Sequence, residues 1–286
     1  MLVDNFSQFI LKGPRQALAV CLVLFLVPLP LFSFLGTVII ALVTLRKGHQ
    51  AGFIVSLATI PALFLSPKVS PILLLLISII ATYGMAIVLR QTQSWSATFI
   101  IAAIASLSVP FILPLFIEPQ VFMDQIINVL QNDKNSQTQD WVIALKTMVP
   151  SIFTMMGTAL YIQLVMALVV ARWLQSRLFN PGGLKTELMA ARISGAQAMA
   201  LFIVGVGLFM LTPSNKNLVA IPLLPFLIVG IIIVQGIINQ LPTLRMPLLV
   251  AFYALLILTP ISLFIIGIGL IDPWVDFRQK LNKQQE

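Results

Sequence analysis

The feature that most limits what this chain can fold into is where its charge is missing. Of 286 residues, 9% are charged and 59% hydrophobic, and the mean hydropathy is +1.03. A soluble domain carries about 25% charged residues. Here the few charges stand at the ends of long apolar runs rather than inside them. Crossing ~30 Å of hydrocarbon takes about 20 helical residues. Within that layer every backbone donor and acceptor must be satisfied internally, which leaves helices for runs of this length. The expected fold is therefore all-α, a polytopic transmembrane helix bundle with a bilayer as its solvent. Nothing near the N-terminus resembles a cleaved secretory signal. Asp4, Lys12 and Arg15 precede an apolar run too long for a signal core, with no small-residue cleavage site behind it.

The runs predict about nine helical segments (range about eight to ten) in a single membrane domain over 1–286, several of them broken by proline. The first apolar stretch, 17–45, holds Pro28, Pro30 and Gly36. Two prolines remove two backbone donors within one turn, so it reads as helices over 16–28 and 31–45, the alternative being one kinked, tilted helix. Segments follow at 51–66 with Pro61 inside, 72–89, 95–117 kinked by Pro110 and Pro114, 148–171, 193–211 and 218–238 with Pro222 and Pro225. The last run, 246–271, contains Pro260 and reads either as one span or as a hairpin bent at Thr259-Pro260. The first reading divides Lys and Arg ten to seven between the two sides, the second thirteen to four.

Sidedness follows from the connector Arg172–Arg192, which carries Arg172, Arg177, Lys185 and Arg192 against the single acid Glu187. Basic residues at span ends stay cytoplasmic. This predicts a bacterial inner-membrane protein with 172–192 inside, together with Arg46 and Lys47. The segment 118–147 is net acidic, with Glu118, Asp124, Asp133 and Asp140 against Lys134 and Lys146, and is expected on the outer face. Asn180-Pro181-Gly182-Gly183 interrupts any helix and predicts a surface loop. At the far end Trp274 reads as a headgroup-level anchor, with Asp272, Asp276 and Arg278 in water just beyond. The net charge of +8 is spread singly and in pairs along span ends, which is topology rather than a nucleic-acid footprint. Cys21 and His49 are the sole members of their kinds, so neither a disulfide nor a metal site is expected.

The interiors of the runs lack Asp, Glu, Lys, Arg and His, which speaks against a pump built on titrating carboxylates. Sodium held by carbonyls at broken helices stays open. There is no Gly-x-Ser-x-Gly, no His-Glu-x-x-His and no carboxylate pair within a run, so neither an enzyme nor a cofactor is expected. What remains is neutral and polar. Gln163, Gln235, Thr37 and Thr158 are the candidate lining of a site for a small neutral metabolite. Against that, threonines often bond their own helix's carbonyls, and amides often join helices at about 0.6 kcal/mol each. Two functions fit: a small-molecule-binding transporter subunit powered by a protein partner, or a non-transporting scaffold that recruits partners through 118–147, 172–192 or the tail.

Three stretches resemble one family. LVTLRKGHQAGFIVSLATIP (42–61), VQGIINQL (234–241) and GIGLIDPWVDFR (267–278) are similar to segments of the YybS-like membrane proteins of bacteria. In the last stretch the resemblance is carried by Gly269, Leu270, Asp272, Trp274, Asp276 and Arg278. The family is distantly similar to the substrate-binding subunits of energy-coupling-factor transporters. That implies six helices in 1–171, an extension over 193–286, and energy supplied by a partner. The small-residue contact Ala-x-x-x-Ala on the first helix of those subunits stands here as Ala17-x-x-x-Cys21.

Overall fold

The computed structural model describes residues 2–27, 30–65, 72–118, 149–213, 215–241, 243–258 and 260–275. Among them are twelve α-helices and no strand. They are α1 Leu2–Lys12, α2 Pro14–Leu26, α3 Pro30–Lys47, α4 His49–Leu65, α5 Ile72–Thr92, α6 Trp95–Ile112, α7 Ile152–Phe179, α8 Gly183–Ala190, α9 Gly195–Leu211, α10 Ala220–Ile238, α11 Arg245–Leu258 and α12 Ser262–Val275. Four stretches, Ile72–Thr92, Trp95–Leu115, Ile152–Phe179 and Lys216–Ile238, are individually long and apolar enough to cross a bilayer. Large apolar side chains also cover the outside: Leu211 is 82% exposed, Ile257 81% and Phe264 77%. A surface this apolar requires a hydrocarbon solvent. The chain is an integral membrane protein.

The 28-residue helix α7 runs through the centre, packed on α3, α5, α6 and α10. Its inward stripe of Gly157, Leu160, Tyr161, Leu164, Leu168 and Ala171 recurs every three or four residues, the helical period. On one side α2 and α4 pack around α3; on the other, α9 and α12 pack on α10. Helices in lipid gain no hydrophobic energy by meeting, so they associate where small residues let backbones approach. A Cβ added at Gly157 would lie 2.6 Å from the carbonyl oxygen of Ser106 on α6. One added at Gly269 on α12 would strike the carbonyl of Phe226 on α10 and lie 3.0 Å from the nitrogen of Gly230.

Ends of helices gather the charge. Gly48, at φ +100°, turns α3 into α4, a conformation other residues rarely adopt. Arg90 at the end of α5 donates to the carbonyls of Thr44 (3.3 Å) and Leu45 (3.0 Å) in the last turn of α3, at the negative end of that helix. Arg46 stacks on Phe179, 3.8 Å from its ring centre, which joins the end of α3 to the end of α7. Arg46, Arg90, Arg172, Arg177, Lys185, Arg192 and Arg245 thus share one end of the bundle, with Lys47 on the same turn as Arg46.

The break predicted near Pro28 and Pro30 separates α2 from α3, which form an antiparallel hairpin: a Cβ at Gly36 would meet the ring of Phe25. Ala17 and Cys21 are fully buried inside this packing, so that small-residue contact is internal. The run 246–271 is divided into two helices. Helices α11 and α12 are bent by 109°, and α12 returns to the basic end, where Arg192 donates to the carbonyls of Asp272 (3.4 Å) and Pro273 (3.3 Å).

Three expectations change. The central helix does not stop at 171 but continues to Phe179, and the connector is mostly helical, shared between the end of α7 and the helix α8 on either side of the turn at 180–182. Asp272 is not in water: it is 1% exposed, since α12 runs on to Val275 and packs against the segment around Arg192. Helix α1 was not anticipated. It is strongly amphipathic, buries Ile10 and Leu11 against the bundle and turns 115° from α2. Glu118 closes the described part of the acidic segment, and 119–147 together with Arg278 lie outside the described residues.

Candidate functional site

The four neutral polar residues do not come together. Thr37 is fully buried on α3, and its hydroxyl donates to the carbonyl of Phe34 at 2.7 Å, within its own helix. Thr158 is half-buried on α7. Gln163 lies one turn further along α7; its side-chain nitrogen is buried and has no hydrogen-bond partner among the described residues. An unsatisfied amide donor costs about 1–3 kcal/mol. Gln235 is near the basic end of α10, and its amide donates to the hydroxyl of Tyr253 on α11.

Gln235 alone of the four lines the main cleft at the basic end, a cavity of about 500 Å³. Trp173, Ser176 and Arg177 of α7 border it, as do Leu184, Lys185, Leu188 and Met189 of α8. Ile232, Gln235 and Asn239 come from α10, and Arg245 and Leu249 from α11. The volume falls within the ~300–1,000 Å³ range of small-molecule sites. Its lining is mostly apolar and includes three cations, two amides and a hydroxyl. Arg177 is held over the Trp173 ring at 5.6 Å.

Local sequence explains how the cleft is built. Asn180 ends α7, its N–H donating to the carbonyl of Ser176 at 2.8 Å. Gly182 at φ +86° then reverses the chain, so α8 folds back beside the helix it follows. Arg172 fixes α8 from behind: Nε donates to Glu187 Oε2 at 2.9 Å, and Nη2 pairs with the other carboxylate oxygen. The same guanidinium reaches Gln175. This forked ion pair faces a second, smaller cavity of about 180 Å³, which Arg90 and Gln93 also line. Glu187 is thus engaged away from the main cleft, which has no acid among its described lining residues. Across the next turn, Ser194 and Gln197 form a reciprocal cap at the start of α9, so Gln197 is spent on structure.

Arg177 and Lys185 were identified in the sequence as markers of topology; the fold makes them rim residues of a cavity. Trp274 is exposed at the same end, beside Gly195, away from the cleft lining. The contributions of Ser176, Asn239 and Arg245 were not legible, apart from one signal. Arg177, Lys185 and Arg245 stand at the ends of three different helices, and like charges gather where those ends meet. Among the described residues there is no group of three or more His, Cys, Asp or Glu able to hold a metal. No protein-family model, curated protein or solved structure matches this chain.

Proposed function

We propose that the protein is a ligand-binding membrane subunit whose ligand occupies the cleft between α7, α8, α10 and α11, with energy for any transport supplied by a protein partner. The observation that carries this reading is the cavity of about 500 Å³, with a mostly apolar lining that includes a few polar groups. The family resemblance supports the same class of function, and the positive-inside rule favours a cytoplasmic basic end in a bacterial inner membrane. The binding site lies at the charged end of the bundle rather than at mid-bilayer, because Gln163, Thr37 and Thr158 do not border the cleft.

Leu188→Trp fills the cleft from α8. Native mass spectrometry of protein extracted from membranes is expected to show a retained small-molecule mass on the wild type and its loss in this variant. Matching spectra for the two proteins, bare or loaded, would remove the cleft as the ligand site.

A further inference from the structure

Alone among the described helices, α8 has no buried residue. The chain on either side of it is fixed: Ser176 is buried near the end of α7, and Ile193, just beyond α8, is fully buried. Space lies on two sides of this helix. Leu184, Leu188 and Met189 line the main cleft, whereas Glu187 faces the cavity of about 180 Å³ behind it. At both ends the backbone leaves helical geometry abruptly. Gly182 turns at φ +86° with open space where a Cβ would stand, and Ala191 is extended at φ −64° and ψ 118°. Hinges are a few residues of this kind, at the end of an element, that absorb a change in φ and ψ. A short helix with no buried side chain and voids on two sides belongs to the part of a fold that opens most readily.

The forked pair between Arg172 and Glu187 spans from α7 to this helix. Helix α7 is packed through the centre of the bundle, so the pair ties a lightly packed wall to a rigid one. Its two N–H···O bonds fix orientation as well as distance. Resting on the reading of this cleft as the ligand site, we propose that α8 is the gate of the cleft, latched by Arg172 and Glu187 and turning at 180–182 and at Ala191 to let the ligand pass. The two side chains are 23% and 27% exposed, so water competes for the pair and its contribution is modest. A latch at the water's edge can break and re-form without stranding a charge in a dry interior. Lids that close over a site in this way sequester the ligand and set the rate at which it exchanges.

The test reads access to the cleft with N-ethylmaleimide, a neutral thiol probe, on the full chain in nanodiscs. Ile232, 6% exposed on the α10 wall of the cleft, is the reporter position, as Ile232→Cys in a Cys21→Ala background. Glu187→Ala is expected to speed its labelling about three- to fivefold. Arg172→Ala should do the same, although it changes the local charge in the opposite sense. Exchanging the pair, Arg172→Glu with Glu187→Arg, should restore the slow rate. Trp274→Cys, at the same end of the bundle but away from the cleft lining, is expected to label at one rate in every background. Unchanged labelling at 232 in both single variants, or an equal rise at 274, would overturn the gate. A fast rate in the exchanged pair would overturn it too, because general loosening rather than a lost latch would then explain the singles. These readouts need no ligand. The gate can therefore fail while Leu188→Trp still shows the cleft to be the ligand site. Matching mass spectra for wild type and Leu188→Trp would instead remove the ligand and leave the opening of α8 as measured.

Discussion

At the scale of single residues, the tightest packing in the molecule rests on hydrogen atoms in place of side chains. Gly269 on α12 faces the backbone of Phe226 and Gly230, whereas Gly267, two residues away, faces open space. Gly269→Ala is therefore expected to push α12 off α10 and cost about 1–3 kcal/mol. Gly267→Ala, which meets no neighbour, should instead stabilise by up to about 1 kcal/mol, the helix-propensity difference between the two residues. Thermal unfolding in detergent separates the two outcomes, and equal midpoints would contradict the close crossing. Both glycines are plain in the sequence, but their spacing of two matches no recognised contact motif. Which one is pressed against a neighbour depends on the angle at which α10 and α12 cross. Gln163 and Gln235 show the same limit: their polarity within apolar runs was visible, while their partners were not.

Among elements, α8 governs the cleft, and it is an eight-residue helix far too short to be stable alone. It is held by the turn at Gly182 and by the forked pair between Arg172 and Glu187, whose side chains are 23% and 27% exposed. A partly exposed pair contributes modestly, so Glu187→Ala is expected to cost under about 1 kcal/mol of global stability. Its effect on the helix itself should be larger. Amide exchange across 183–190 is expected to rise several-fold while α7 stays protected, as read by hydrogen–deuterium exchange. Unchanged exchange would mean that other contacts hold α8. The basic composition of this stretch was legible and fixed its place at a membrane boundary. That it coils into a helix was obscured by Pro181-Gly182-Gly183, which suppresses helical pattern for only one turn.

For the whole molecule, the asymmetry of charge is a claim about which ends share a compartment. In a Cys21→Ala background, cysteines placed at Lys185, Arg245 and Trp274 are expected to react with an impermeant maleimide from one side of the membrane. One placed at Asn217 is expected to react only from the other. Asn217 sits where its amide donates to Ser151 at 2.8 Å, at the start of α7 and opposite the basic end. Labelling of the 274 position together with 217 would undo the hairpin of α11 and α12.

The sequence by itself determined the solvent, the class of secondary structure, the places where prolines divide the spans, and the end that carries the charge. Hydropathy, period and proline are properties of consecutive residues, and a bilayer leaves such segments a single backbone conformation. Tertiary structure alone decided that α12 turns back toward Arg192, that Asp272 is buried, and that Arg177, Lys185, Gln235 and Arg245 surround one cleft. Those outcomes depend on the crossing angles of helices distant in the chain, and lipid contributes no hydrophobic pull that a linear pattern would record. They were set by where glycines and ion pairs let the backbones meet.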